Sequence, residues 1–211
     1  MSRCVIISAC PVSASLASAL RPGDTIIACD AGYRNCAPLH CRPDIIVGDF
    51  DTAPCPAQEG DDTIILPHVK DDTDTEYAAK LASEKGFDEA LLLGVLGGRR
   101  LEHTLANLCT GLGLEQRGVR ATLLDERSRI TFVMPGETRR YPKEKYFFFS
   151  AFPIEGRAQG VYERGSYYEL TDAELTAGYP LGVSNEYAAG SDCITISTRS
   201  GALVVVETIA D

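Results

Sequence analysis

The chain lacks the markers of several common ligand classes. It carries 20 Lys and Arg against 30 Asp and Glu in 211 residues, a formal charge of -10. Nucleic-acid and anionic-membrane surfaces need clustered basic residues, so both are excluded as expected partners. No apolar run approaches the roughly 20 residues of a membrane-spanning helix. The eight cysteines, at 4, 10, 29, 36, 41, 55, 109 and 193, form no Cys-x-x-Cys pair and no Cys/His zinc spacing. Reduced, partly buried thiols are expected, with neither a zinc site nor a redox motif. The opening run Met1–Ile7 soon meets Pro11 and lacks the apolar region of a secretory signal, so a cytoplasmic location is expected. Glycines 94, 97 and 98 match neither the dinucleotide fingerprint nor the Gly-Lys-Ser/Thr phosphate loop. Internal repeats and low-complexity tracts are absent as well.

What is present is 45% hydrophobic content, enough for one large domain or two small ones. Short β-rich runs at 4–9, 25–29, 44–48, 63–66, 90–95 and 120–124 alternate with helical patterns at 12–20, 74–85 and 100–116. Such alternation predicts an α/β domain over 1–125, a mostly parallel, Rossmann-like sheet flanked by helices. After about residue 125 the pattern changes. Ile130–Val133, Tyr146–Phe149, Cys193–Ser197 and Leu203–Glu207 read as strands separated by Pro-Gly, Glu-Gly and Ser-Gly turns. Residues 126–211 are therefore expected to form an antiparallel β-sandwich.

Acids follow the strands of the first part. Gly48-Asp49-Phe50-Asp51 comes after Ile45–Val47, and Asp71, Asp72 and Asp74 come after Ile64–Leu66. Carboxylates two apart on an extended segment point to one side and offer paired hard oxygen ligands to Mg²⁺. Thr73 and Glu76 fit a capping box, with Tyr77, Ala78, Leu81 and Ala82 as the apolar stripe of the helix that follows. Asp74 then sits in a first turn, where the helix dipole favours a carboxylate whether or not it has a further role. Ligands of open parallel sheets bind beyond the carboxyl ends of the strands. Asp30, the Asp49–Asp51 motif, Lys70–Asp74 and Gly97–Arg100 all fall at that edge.

Taken together, Asp30-Ala31-Gly32, Pro43–Thr52, Lys70–Glu76, Gly97–Asn107 and Gly182–Glu186 resemble the thiamine pyrophosphokinases in order and spacing over essentially the whole chain. The resemblance implies an N-terminal α/β domain that binds ATP, a C-terminal β-sandwich that binds thiamine, and a homodimer with active sites between subunits. It implies Mg²⁺-dependent transfer of the diphosphate of ATP to the thiamine hydroxyl, with release of AMP. The acidic metal-binding motif falls on Asp49 and Asp51, the Thr-Asp motif on Thr73 and Asp74, and the first aspartate on Asp30. The Ser-Asn pair that contacts thiamine falls on Ser184 and Asn185, and the aromatic residue that stacks on it from the other subunit falls on Tyr168. Three departures stand out. The Gly-Gly-Arg-x-Asp-His motif has one extra residue and Glu102 for Asp, leaving Arg99 or Arg100 as the phosphate-facing arginine. Ala31 stands where glycine is usual, and Thr52 where serine is.

The chemistry agrees with these residue types. Diphosphate transfer is mostly positioning and charge stabilisation, so Asp49, Asp51 and Asp74 are the expected Mg²⁺ ligands, with Lys70 or Arg100 supporting the phosphates. A tyrosine face suits the cationic, aromatic thiamine, and a hydroxyl-amide pair suits its aminopyrimidine edge. His103 is expected on a helix surface, outside the catalytic set. Clustered aspartates alone would equally serve a Mg²⁺-dependent phosphoesterase or nucleotide hydrolase, and a thiamine-binding regulator without turnover is a third reading. The Ser184-Asn185 motif counts against the hydrolase, and the full set of acids against the regulator.

Overall fold

The computed structural model describes residues 1–50, 62–67 and 71–210. They divide into two compact units, Met1–Glu126 and Arg127–Asp211.

The first unit runs β1 (Arg3–Ile7), β2 (Thr25–Cys29), β3 (Ile45–Gly48), β4 (Asp62–Ile65), α1 (Asp74–Glu84), β5 (Glu89–Leu93), α2 (Leu101–Gln116) and β6 (Arg120–Leu124). The strands lie in the order β6-β5-β1-β2-β3-β4 and pair in parallel throughout. Val5, Ile7, Ile26, Ala28, Leu91 and Leu93 share one core with Leu16, Cys36 and Leu39. The alternate residues Cys4, Ile6, Ile27 and Leu92 are buried too. Burial on both faces explains why these strands read as unbroken apolar runs rather than alternating ones.

Helix α1 starts as its capping box dictates: the Thr73 hydroxyl accepts from the Glu76 N–H at 3.1 Å, with Asp74 and Glu76 in the first turn. Its buried stripe is Thr75, Ala78, Ala79 and Ala82, whereas Tyr77 and Leu81 are half-buried. The core face is thus displaced toward the small residues, which let α1 lie close to β1, β2 and β3. The helical pattern at 12–20 forms only a 3₁₀ segment, Ala14–Ala19, capped by Ser13. A second 3₁₀ segment, Asp30–Cys36, stands where no helix was expected.

The second unit contains β7 (Ser128–Val133), β8 (Thr138–Pro142), β9 (Phe148–Pro153), β10 (Arg157–Arg164), β11 (Leu170–Thr176), β12 (Asn185–Glu186), β13 (Cys193–Ser197) and β14 (Leu203–Thr208). Antiparallel pairing makes two sheets, β12-β9-β14-β7 and β11-β10-β13-β8. Val133, Phe149, Ala151 and Val205 from the first meet Tyr141, Val161, Leu175 and Ile196 from the second in one core, which makes the unit a sandwich. The Tyr146–Phe149 run is only half strand. β9 begins at Phe148, Phe147 is exposed, and Tyr146 is buried beside the Arg129 guanidinium, 4.6 Å from its ring centroid. Among the described residues no helix is long and apolar enough to cross a membrane.

Candidate active site

The strand order reverses between β1 and β5, because β1 to β4 extend to one side and β5 and β6 return on the other. A cavity of about 460 Å³ opens there, at the carboxyl ends of β1, β2 and β5 and the N-termini of α1 and α2. Of the residues singled out from sequence, it gathers Asp30, Thr73, Asp74, Arg99 and Arg100. His103, exposed on α2, lines it as well.

The walls are held by buried amides that carry no sequence motif of their own. Asn35 donates to the carbonyls of Ser8 at 2.7 Å and Cys10 at 2.8 Å, and Asn107 donates to Val95 O at 2.7 Å. The Ser8 and Thr75 hydroxyls meet at 2.7 Å, tying the end of β1 to the first turn of α1. Burial pushes the Cys10 and Cys29 thiols above their ordinary range. Both stay protonated at neutral pH and are poor nucleophiles.

Asp30 follows β2 directly with φ +45°, a left-handed conformation that aspartate tolerates better than most residues. It is buried, and its Oδ1 has no hydrogen-bond partner. A bare carboxylate oxygen at a cavity wall suits a cation or a donor supplied by a ligand. Gly48 brings the end of β3 close to Asp30: a Cβ there would lie 3.1 Å from Asp30 Cα and 3.2 Å from its nitrogen, so any larger residue would push the two segments apart by a few tenths of an ångström. Asp49 follows, half-buried but outside the cavity lining. The expectation of an extended Asp49–Asp51 segment needs correcting, because Phe50 has φ +55° and turns the chain there. Asp51 and Lys70 lie outside the described residues. Among the described residues no group of three or more His, Cys, Asp or Glu is arranged as a metal site.

The second acidic cluster divides. Asp72 is paired with Lys80, both carboxylate oxygens 2.7 Å from Nζ, while Asp74 faces the cavity. The two arginines differ as well. Arg100 Nε donates to Glu102 Oε1 at 2.7 Å in an exposed pair, so the Glu102 that replaces the usual Asp occupies that side chain.

In the second unit Tyr168 is 69% exposed and Tyr167 67% exposed, their rings edge-on with centroids 4.8 Å apart. Ser184 is exposed at φ +53°, whereas its neighbour Asn185 is buried. The Asn185 side chain is engaged inside the fold, with Tyr168 and with Glu163. Glu163 was not anticipated from sequence, where it is one charged residue in a β pattern. Burial pushes its carboxyl up to about 7, a shift that the hydrogen bond from Asn185 only partly opposes. A folded pKa above the unfolded one means that the native state holds this proton longer, so its contribution is present at low pH and is lost as pH rises toward 7. Glu163→Gln should therefore gain stability relative to the parent between pH 5 and pH 8, by about 3 kcal/mol. Urea unfolding across that range checks it, and a pH-independent difference would contradict it.

Residues 16–123 match the family model of the thiamin pyrophosphokinase catalytic domain, and residues 138–203 match that of the thiamin pyrophosphokinase vitamin B1 binding domain. The chain belongs to the thiamin pyrophosphokinase family. Thiamine pyrophosphokinase of Bacillus subtilis (strain 168) is 28% identical over 137 residues, 65% of this chain and 63% of that protein's length. The matched stretch thus spans less than two thirds of that relative. The fold is similar to the crystal structure of thiamine pyrophosphokinase from Bacillus subtilis, with TM-score 0.88, 22% identity and complete coverage of both chains. Thiamin pyrophosphokinase from Geobacillus thermodenitrificans gives TM-score 0.85 at 25% identity, covering 99% of this chain and 98% of that one.

Proposed function

We propose that the chain transfers the terminal diphosphate of ATP to the hydroxyl of thiamine, giving thiamine diphosphate and AMP. The observation that carries this reading is the presence, in one chain, of both family domains together with a cavity that places carboxylates and guanidinium groups at the switch point of the sheet. In this reading residues 1–125 bind ATP and residues 126–211 bind thiamine. The enzyme works as a cytoplasmic homodimer in which Tyr168 of the partner subunit stacks on the vitamin. The exposed tyrosine pair of the second unit supports that role, since large aromatic faces are seldom left in water without a use.

The hydroxyl oxygen of thiamine attacks the β-phosphorus of ATP, the bond from that phosphorus to the α,β-bridging oxygen breaks, and the bridging oxygen leaves with AMP. The hydroxyl proton passes to a base. Arg99, at the cavity and not joined to Glu102, supplies the positive charge that phosphate oxygens require, with Arg100 and Lys70 as further cations. Thr73 fixes the start of α1 and hence the place of Asp74, while Asn35 and Asn107 keep the walls from shifting. Rigid walls matter because in-line attack tolerates little displacement.

A Mg²⁺ ion fits the donor set. Asp30 presents a buried oxygen without a partner, and Gly48 holds the start of the acidic loop against it. Asp49, Asp51 and Asp74 would hold the ion, which would supply charge neutralisation of the polyphosphate. Ser184 and Tyr168 would contact thiamine, and Asn185 serves the same site.

The bond that breaks is the test. Label in the γ position of ATP should appear in thiamine diphosphate, with AMP formed in equal amount. ADP as the primary nucleotide, in enzyme free of adenylate kinase, would falsify this mechanism. ATP consumption without thiamine would indicate a hydrolase, and binding without turnover a regulator.

A further inference from the structure

We propose that Glu163 is a positioning residue for the vitamin, a buried carboxylate that orients the Asn185 amide and, through it, the turn that presents Tyr167 and Tyr168. The inference rests on the diphosphotransferase reading for the identity of the ligand. The structural tie stands on the hydrogen bonds.

Glu163 lies on β10 and is only 1% exposed, paired with Ile196 of β13 and Leu170 of β11. An apolar side chain would satisfy such a position without any partner. Instead Oε2 accepts from Asn185 Nδ2 at 2.8 Å, while Oε1 is buried with no hydrogen-bond partner. Stability gives no reason for an acid here, which directs attention to what it holds.

What it holds is an amide with no spare capacity. Asn185 Nδ2 donates to Glu163 and to Tyr168 O at 2.8 Å, and Asn185 Oδ1 accepts from the backbone N–H groups of Tyr168 and Glu186, each at 3.0 Å. Both amide hydrogens and both lone pairs of the oxygen are used. Oε2 accepts from Nδ2 whether or not Oε1 carries a proton, so Glu163 fixes which end of the amide faces it. The amide in turn clamps both backbone groups of Tyr168. Tyr167 N donates to Glu186 O at 2.8 Å, closing the turn from the other side. The result is a rigid backbone beneath two exposed rings. A preorganised aromatic surface binds a flat cation without first losing conformational freedom.

The test uses the full chain with Glu163→Leu, which removes the acceptor, and Glu163→Gln, which keeps an acceptor oxygen of the same reach. E163L should raise the KM for thiamine by about tenfold or more, with kcat within about twofold and the KM for ATP unchanged. E163Q should restore the parent KM. Hydrogen exchange at the Tyr168 amide should quicken in E163L and not in E163Q, a readout that does not depend on turnover. Should leucine prevent folding, Glu163→Asp withdraws the oxygens by one methylene and should act as E163L does. Unaltered thiamine KM in a folded E163L or E163D variant overturns the proposal, and so does an equal loss in kcat and in the KM for ATP. A parent protein without transfer activity would sink the diphosphotransferase reading, and exchange at Tyr168 would then decide the structural tie alone.

Discussion

Asp49→Asn and Asp51→Asn are each expected to lower turnover by about two orders of magnitude or more while the fold survives. Gly48 packs against the Asp30 backbone, so Asp49 enters the loop beside an acid whose Oδ1 is already buried and without a partner. A neutral amide of the same shape removes the ligand charge and keeps the volume of the side chain. Circular dichroism of the variants should therefore match that of the parent. Mg²⁺ should raise the melting temperature of the parent and raise that of the variants much less. Asp51 is included on its spacing in the sequence, two residues from Asp49. Calorimetry with and without Mg²⁺, circular dichroism and a thiamine diphosphate assay form the measurement. Parent-level activity in either folded variant, or an undiminished Mg²⁺ response, would remove that residue from the metal set.

The parallel sheet was legible because its central strands are buried on both faces and α1 is capped by a side chain. Val5–Ile7 and Leu91–Leu93 leave no polar alternative, and Thr73 announces α1 by a hydroxyl three residues ahead of Glu76. The sandwich was legible in β7, β13, β14 and part of β9, while β10 (Arg157–Arg164), central in the second sheet, went unread with that sheet's edges. β8 (Thr138–Pro142) holds two arginines and a proline, and β11 (Leu170–Thr176) buries a single residue and is rich in helix-favouring residues. Both are edge strands of the second sheet, where half of the hydrogen bonds face solvent and the pattern carries little apolar signal. Their pairing with β13 and β10 is a tertiary fact.

In the site, the motifs mark what lines the cavity and say little of what holds its walls. Asp30, Asp74, Arg99 and Arg100 share one cavity as their common place at the strand ends implies. Asn35, Asn107 and Glu163 act through backbone carbonyls or another amide, and single-residue chemistry gives no spacing rule for that. The left-handed turn at Phe50 was equally hidden, since a bulky aromatic at positive φ runs against local preference. Such strain is usually kept only where the surroundings enforce it.

Gly94→Ala should be among the most damaging small substitutions in the first unit, with a loss of about 3 kcal/mol or more. Gly94 leaves β5 at φ +66°, and a Cβ there would stand 2.4 Å from Ser8 O and 2.7 Å from Cys10 O. Both obstacles are backbone, and neither can retreat freely. Asn35 Nδ2 donates to both carbonyls, at 2.7 and 2.8 Å, and the same segment is bound to β5 by Ser8 N to Leu93 O at 2.9 Å and Cys10 N to Gly94 O at 3.0 Å. Relief of the clash requires the end of β1 to part from β5, which opens the cavity wall at the switch point of the sheet. Gly86 is the control: it follows α1 at φ +75°, and a Cβ there would meet nothing within 4 Å, so Gly86→Ala carries only the left-handed backbone penalty of about 1 kcal/mol. Urea denaturation of the two variants separates overlap from backbone strain. A Gly94→Ala variant no less stable than Gly86→Ala would mean that the β1 end yields easily, and the rigid-wall account of the cavity would fall with it.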